Sequence, residues 1–518
     1  MDPGREAVGG EGGLTAQAAA TDAAAWAARL RSTRWLLALL ALWLVFSAGL
    51  RPLLVPDEGR YATVALEMLR GDPLVPTLNG LPFFHKPPLM YWIDIAAMQL
   101  FGATAFAARC ASILGAWLMG AALLLALRRW HDARTATLAL VALATAPFFF
   151  IAAQYANHDM LVGGLITVAV FALVRALDAG PKPALGWLVG AWVACALALL
   201  SKGLIGVVLP ALVVGPWLLA QRRWRDVLRL LHPLGLVAFV LVAAPWLVAM
   251  QLRYPGFYDY FIVEQHFRRF EQSNFNNVHP FWFFVVVLPL LTLPWSGWLA
   301  LGARRVWRVA PPMAGLYVWW IAAVVGFFSL PSSKLVGYVL PALAPWCALI
   351  AMAIVAAARS ARAVRVVSGV AAALCLGTVL ALAWQAPGSN RAAAEVLAAR
   401  LAPGDKVAMV DDYLYDVPFY ARLTAPVTIA SDWADPDLPK HDNWRKEIYD
   451  AARFDPAKAR TVLVPIARLG SIACGAHAVW FVVRAGHGAA LQALPGIAKA
   501  YADRHTELWR APGRSDCG

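Results

Sequence analysis

The chain is 518 residues long, 60% hydrophobic and only 15% charged, with 23 tryptophans, a balance that excludes an ordinary soluble domain. Its formal net charge is +14. The arginines and lysines fall in clusters between apolar stretches, which is the positive-inside pattern of a membrane protein, and nucleic acid is excluded as a partner. Apolar stretches of about 17–25 residues, each able to cross a hydrocarbon core, recur along most of the chain and make it a polytopic α-helical membrane protein.

Residues 1–33, rich in Ala and Gly and ending near Arg29 and Arg31, read as a disordered cytoplasmic leader. The first span, 34–50, then runs outward. It is followed by a charged outer loop, 51–102, that carries Pro56-Asp57-Glu58-Gly59-Arg60-Tyr61 and Phe84-His85-Lys86-Pro87-Pro88. Arg128, Arg129 and Arg134 form the next basic cluster and belong inside, so an odd number of crossings separates them from residue 51. Segment 107–127 supplies one crossing, and 88–102, short and carrying Asp94, is expected to be re-entrant or interfacial. Further spans are expected near 136–154, 160–177, 184–200, 203–220, 231–251, 281–301, 313–331, 336–357 and 366–385, about eleven in all and up to about thirteen. Together, 34–386 form the transmembrane domain.

The same parity places Asp57, Arg60, His85, Lys86, Asp159, Lys202, His266, Arg268, Arg269, Lys334 and Tyr338 on the extracytoplasmic side. Beyond residue 386 the composition becomes that of a soluble domain. Alternating runs at 406–410 and 478–483 read as strands, and 390–401, 444–453 and 487–502 as helices, giving an outer α/β domain over 387–518. Four of the six cysteines lie in apolar spans; only Cys474 and Cys517 are placed to form a disulfide. There is no internal repeat and no glycine-rich phosphate loop, which excludes a nucleotide-driven pump.

An acidic pair, cations and aromatics gathered where a membrane protein meets water point to chemistry on a lipid-borne anion. A charge near hydrocarbon costs about 2.5–3.5 kcal/mol on insertion scales, so such groups sit in a watered cavity and act there.

The run Val55-Pro56-Asp57-Glu58-Gly59-Arg60-Tyr61, the segment Phe84-His85-Lys86-Pro87-Pro88 with Tyr91-Trp92, and Ser333-Lys334 leading to Tyr338-Val339-Leu340-Pro341 resemble the aminoarabinose transferases of Gram-negative bacteria. More broadly, they resemble the protein mannosyltransferase relatives among membrane glycosyltransferases of the GT-C fold. The resemblance spans about residues 34 to 357, and the chain departs from it at His85, where the family carries an acidic residue before the lysine. It implies a glycosyltransferase of the bacterial inner membrane with its site and tail domain periplasmic. Such an enzyme moves a sugar, 4-amino-4-deoxy-L-arabinose, from undecaprenyl phosphate to lipid A. Protein O-mannosylation, or glycosylation of another lipid or glycan, differs only in acceptor groove and sugar pocket. A polyprenyl-lipid transporter would use the same cations, but symmetric halves and broken-helix repeats are missing from the sequence.

A polyprenyl-phosphate sugar needs cations on its leaving phosphate and a carboxylate near the attacking group. Asp57 is the expected general base, or, for an already ionised lipid A phosphate, the group that orients the acceptor. Capping of the helix that follows is its plain structural alternative. Asp159 is the expected second acidic residue, with the same alternative. Lys86, Arg60, Arg268, Arg269, Lys334 and Tyr338 are the expected donors to the phosphate, against snorkelling or aromatic-belt roles. Glu58, Tyr61, His85 and His266 complete the expected site. The cations suffice without a cofactor, although the resemblance also allows a divalent ion (Zn, Mg or Mn) at His85 and His266. Direct displacement with inversion follows from the want of a second carboxylate placed as nucleophile.

Overall fold

The structure, a computed structural model, describes residues 33–180, 182–268, 277–309 and 313–514. The expected leader, apart from its last residue, lies outside the described residues. The helices, in order, are α1 (Thr33–Val45), α2 (Asp57–Arg70), α3 (Leu89–Phe101), α4 (Ala107–Trp130), α5 (Ala133–Ala144), α6 (Pro147–Ala153), α7 (His158–Ala176), α8 (Leu185–Lys202), α9 (Ile205–Ala220), α10 (Pro233–Arg253), α11 (Phe283–Leu291), α12 (Gly297–Val309), α13 (Ala314–Ser329), α14 (Val336–Ala356, opening in a 3-10 turn) and α15 (Ala361–Gln385), with a short helix, Trp224–Leu230, between α9 and α10. A π-helical segment, Asp259–Arg268, follows α10.

Among the described residues six helices are long and apolar enough to cross a membrane: α4, α7, α8, α10, α14 and α15. The pair α5 and α6, bent by 63° at Thr145-Ala146, is long and apolar enough only when taken together, and α1, α3, α9 and α13 are shorter apolar helices. The protein is thus a multi-pass helical membrane protein. The expected span at 281–301 is broken into α11 and α12, with Pro294 in the gap, because proline has no backbone N–H to continue a helix.

Burial sorts the helices. The apolar stretch of α7 is 89% buried inside the protein, whereas those of α10 and α15 are 22% and 17% buried, so α7 is the central post and the other two face lipid. The close approach of α7 to α4 rests on Gly164 and Gly115, since a Cβ on Gly164 would fall 2.0 Å from the Gly115 carbonyl oxygen. Small residues let membrane helices meet in this way.

Helix-end contacts bear on orientation. Arg128 bonds Thr33, and Arg129 and Arg175 each lie 3.5 Å from Asp178. Those residues lie at one end of α4 and α7; Arg109 and Asp159 lie at the other. The 19 residues from Arg109 to Arg128 correspond to about 29 Å at 1.5 Å per residue. The basic clusters and the motif residues therefore occupy opposite ends of these helices.

After α15 the chain forms a mixed sheet with strand order β5-β4-β3-β6-β8-β7: β3 (Lys406–Val410), β4 (Thr428–Ser431), β5 (Leu463–Pro465), β6 (Val479–Arg484), β7 (Ala498–Ala502) and β8 (Thr506–Ala511). β3 pairs in parallel with β4 and β6, and β8 is antiparallel to β6 and β7. Helices α16 (Arg391–Arg400) and α17 (Trp444–Ala452) match two expected helices. The third, expected at 487–502, is instead a 3-10 turn, Ala489–Ala493, followed by β7. Pro495 and Gly496, the latter at φ +71°, stop any helix there and turn the chain into the sheet. Cys474 is disulfide-bonded while Cys110, Cys195, Cys347 and Cys375 are free, and Cys517 lies outside the described residues.

A two-stranded hairpin, β1 (Thr77–Leu78) and β2 (Leu81–Pro82), turns at Asn79 and Gly80, both with positive φ, as a type I′ turn requires. Asn79 donates to the Val427 carbonyl (2.9 Å) and accepts from the Val427 N–H (2.8 Å). Thr63 donates to the Tyr415 carbonyl at 2.7 Å, and the Leu53 N–H donates to the Tyr420 hydroxyl at 2.6 Å. The C-terminal domain is thereby fastened onto the segment between α1 and α3.

Candidate active site

Asp57 and Glu58 open α2, and the structure gives them opposite surroundings. Glu58 is fully buried and accepts from Arg51, from Arg109 (Nε at 2.8 Å, Nη2 at 3.1 Å) and from the N–H groups of Leu54 and Ala156, both at 2.9 Å. Burial alone would raise its pKa, but the charges of Arg109 and Arg51 and their hydrogen bonds outweigh it and hold the carboxyl at about 2. Arg51 and Arg109 also bind the carbonyls of Ala48, Pro52 and Gln154. Glu58 is therefore the fixed point that ties the ends of α1, α4 and α6 to the start of α2, and its oxygens are committed to protein donors.

Asp57, by contrast, is 28% exposed at its side chain. The helix cap is Pro56, without a side-chain cap hydrogen bond. The carboxylate of Asp57 pairs with Arg60 through Oδ1 and meets the Tyr155 hydroxyl and the Asn157 amide through Oδ2, both at 3.4 Å. The capping reading of Asp57 is thus not what the structure contains. The same holds for Asp159: Asn157 caps α7 by accepting from the Asp159 N–H at 3.1 Å, which leaves the Asp159 carboxylate to pair with Lys202 at the end of α8. Gly337 permits this, because a Cβ there would press directly on the Asp159 carboxylate. The Tyr338 ring lies 4.7 Å from the Lys202 ammonium.

Asn157, His158 and Asp159 form the hub. The His158 ring is fully buried, lies 4.7 Å from Tyr61 and 5.3 Å from Tyr91, and its Nδ1 is 2.9 Å from the Met90 sulfur. The charges of Lys86, Lys202 and Arg60 all act on that ring. Lys86 donates to the His85 carbonyl at 3.1 Å. His85 stacks on Phe83 at 4.5 Å and lies 5.8 Å from the Tyr260 ring.

Arg60 lies between two carboxylates, Asp57 and Glu447, and its guanidinium is 4.9 Å from the Tyr61 ring and 5.6 Å from that of Tyr415. Burial works against its charge, but Glu447 above all, then Tyr61 and Asp57, raise its pKa above the ordinary value. The Lys334 ammonium bonds the carbonyls of His279 (2.9 Å), Pro331 and Ser332, and so binds its own loop. The side chains of His266 and Arg268, and all of Arg269, lie outside the described residues. Among the described residues no group of three or more His, Cys, Asp or Glu side chains is placed to hold a metal.

Lys202, Asn157, Tyr155 and Glu447 join the expected residues in this cluster. The first three sit at or beside helix ends, at the end of the bundle opposite the basic clusters of α4 and α7. Glu447 lies in a soluble helix whose sequence carries no signal of the site.

Comparison with known proteins places this geometry. The family model of dolichyl-phosphate-mannose-protein mannosyltransferase matches residues 33–261. The undecaprenyl phosphate-alpha-4-amino-4-deoxy-L-arabinose arabinosyl transferase of Pseudomonas paraeruginosa is 37% identical over 342 residues, 64% of this chain and 61% of that protein. Its counterpart, arabinosyl transferase 2 of Sodalis glossinidius, is 35% identical over 322 residues, 61% of this chain and 58% of that protein. The aligned region thus spans about three fifths of these curated relatives. The crystal structure of ArnT from Cupriavidus metallidurans bound to undecaprenyl phosphate superposes with a TM-score of 0.79 at 24% identity, covering 93% of this chain and 98% of that one. The fold is therefore shared over nearly the whole length, including the soluble domain.

Proposed function

We propose, for a chain that belongs to the GT-C family of membrane glycosyltransferases containing the aminoarabinose and protein mannosyltransferases, that it moves 4-amino-4-deoxy-L-arabinose from undecaprenyl phosphate to lipid A. The reaction takes place at the periplasmic face of the inner membrane. One observation carries the reading: Asp57, the single carboxylate of the α2 start left partly open, pairs with Arg60 and meets Asn157, the cap of the helix whose Asp159 holds Lys202. An anionic lipid donor needs such cations, and an attacking group needs that carboxylate.

In this reading the glycosyl phosphate enters with its phosphate against Lys86, and with Arg268 and Arg269 as further donors. The acceptor oxygen meets Asp57, which takes its proton or, for an ionised lipid A phosphate, orients it. The new glycosidic bond forms as the bond from the anomeric carbon to the donor oxygen breaks. The released phosphate keeps its charge against the cations, and the anomeric centre inverts. Lys202, held by Asp159 and resting over Tyr338, keeps positive potential at the same place. Lys334 steadies the 331–338 loop that carries Tyr338. The reaction needs no cofactor; a divalent ion held by His85 and His266 is the alternative.

The test is mass spectrometry of lipid A from cells lacking the protein, complemented with the wild-type chain or with Asp57→Asn. An increment of one aminopentose seen only with the wild type supports both the substrate and the role of Asp57. Unchanged lipid A beside an altered glycoprotein or another glycan moves the acceptor elsewhere. A transporter would tolerate Asp57→Asn.

A further inference from the structure

We propose that Glu447, supplied by the soluble C-terminal domain, is a positioning residue for the transfer. It holds the Arg60 guanidinium so that Arg60 engages one oxygen of Asp57 and leaves the other to the acceptor. The inference rests on Asp57 being the group that meets the acceptor.

Asp57 and Arg60 sit one turn apart on α2 and pair through Oδ1 and Nη2, while the opposite nitrogen, Nη1, pairs with Glu447. The rings of Tyr61 and Tyr415 lie beside the guanidinium at 4.9 and 5.6 Å, so the arginine is held by two carboxylates and two aromatic rings. Glu447 is itself fixed from behind. It stands in the first turn of α17, which Asn443 caps by accepting from the N–H groups of Arg445 and Lys446, and its second oxygen accepts from the Tyr415 hydroxyl at 2.5 Å. Arg60 therefore spends one edge on the soluble domain. A guanidinium freed from Glu447 would turn both Nη groups onto Asp57, because a bidentate fork is its favoured geometry with a carboxylate. That would occupy Oδ2, whose present contacts to Tyr155 and Asn157 are both 3.4 Å and leave it open to a stronger donor.

A plain fastening role does not account for this arrangement. The domain is already anchored by the Asn79–Val427 pair and by the Thr63, Arg70 and Leu53 contacts, the last three at 2.6–2.7 Å. None of these touches Asp57 or Arg60, whereas Glu447 does.

The experiment uses the full chain reconstituted with donor and lipid A. Wild type, Glu447→Gln, Tyr415→Phe, Arg60→Gln, the Arg60→Gln/Glu447→Gln double variant and Asn79→Ala are compared. Glu447→Gln is expected to lower kcat by about 10- to 100-fold, the scale of an ångström-sized misplacement, with the donor KM unchanged. Tyr415→Phe, which keeps the ring and cannot disturb folding through charge, lowers kcat in the same sense but less. In the Arg60→Gln background Glu447→Gln adds nothing, since its effect passes through Arg60. Asn79→Ala, which cuts a docking contact remote from Asp57, retains wild-type kcat. The proposal is overturned by full kcat in both Glu447→Gln and Tyr415→Phe, by effects of Arg60 and Glu447 that multiply, or by an equal loss in Asn79→Ala. Wild-type transfer measured in the same series keeps the substrate assignment separate, because an active wild type with an equally active Glu447→Gln defeats the positioning role alone.

Discussion

Replacing Glu58 with Gln separates the two neighbouring carboxylates more sharply than any other change. Glu58 is fully buried and pairs with two buried arginines while accepting two backbone N–H groups. Breaking a buried pair from one side costs about 3–5 kcal/mol, because the partner charge stays behind without compensation. An amide has one accepting oxygen, so at least one of the four donors is also left unmet, at about 1–3 kcal/mol. The sum approaches the whole stability of a typical domain, about 5–15 kcal/mol. The corresponding change at Asp57, partly open and paired with one arginine, costs about 1 kcal/mol. The assay is a thermal melt of the detergent-solubilised protein together with its membrane yield. Glu58→Gln is expected to melt far below wild type or to fail to accumulate, and Asp57→Asn to melt like wild type while losing transfer. A Glu58→Gln protein that melts normally yet has lost transfer would refute the keystone reading and move Glu58 into the chemistry.

Three further outcomes follow from the same geometry. Lys86→Ala is expected to raise the KM for the lipid donor and lower kcat, about 10²-fold or more in kcat/KM, as for loss of a charge-stabilising donor; unchanged donor kinetics would remove Lys86 from the phosphate site. Glu67 accepts from the Asn79 and Gly80 N–H groups at 2.8 Å each, and burial pushes its pKa up from 4.5 to about 7 against those hydrogen bonds. The folded state keeps a proton that the unfolded chain releases near 4.5, so stability falls as pH rises from about 4.5 to about 7. The melting temperature should decline more steeply across that window in wild type than in Glu67→Gln, which retains only the contribution of other buried carboxylates such as Asp416, raised to about 6, and parallel curves would contradict it. Incubation with a chelator, followed by desalting, should leave transfer intact; loss of activity restored by zinc, magnesium or manganese would bring His85 and His266 back as ligands.

Legibility in the sequence tracked how local each signal was. The spans were readable because apolar length is a one-dimensional property, and the motif loop was readable because charges beside hydrocarbon are conspicuous. Glu58 could not be told from Asp57, since adjacent carboxylates share every local property and differ only in what folds over them. Arg51 and Arg109 look like interfacial charges until the ends of α1 and α4 converge on Glu58. Both capping alternatives failed for a comparable reason. Pro56 and Asn157 took the cap positions, and an offset of one residue at Asp57 and two at Asp159 decides whether a carboxylate faces its own helix or its neighbours. The expected helix at 487–502 fails at Pro495-Gly496, where the chain turns into β7. Glu447 meets Arg60 across 387 positions of sequence, and no local pattern carries such a contact.

In the proposed reaction Asp57 and the cations near it move an aminopentose from a polyprenyl phosphate to lipid A. Its most direct test is transfer by the purified chain in liposomes supplied with undecaprenyl-phosphate aminoarabinose and lipid A, read by mass spectrometry. Lipid A gaining one aminopentose with wild type, and none with Asp57→Asn of equal melting temperature, is the predicted result. Equal transfer by Asp57→Asn, or wild-type protein that leaves both lipids unchanged, would contradict it.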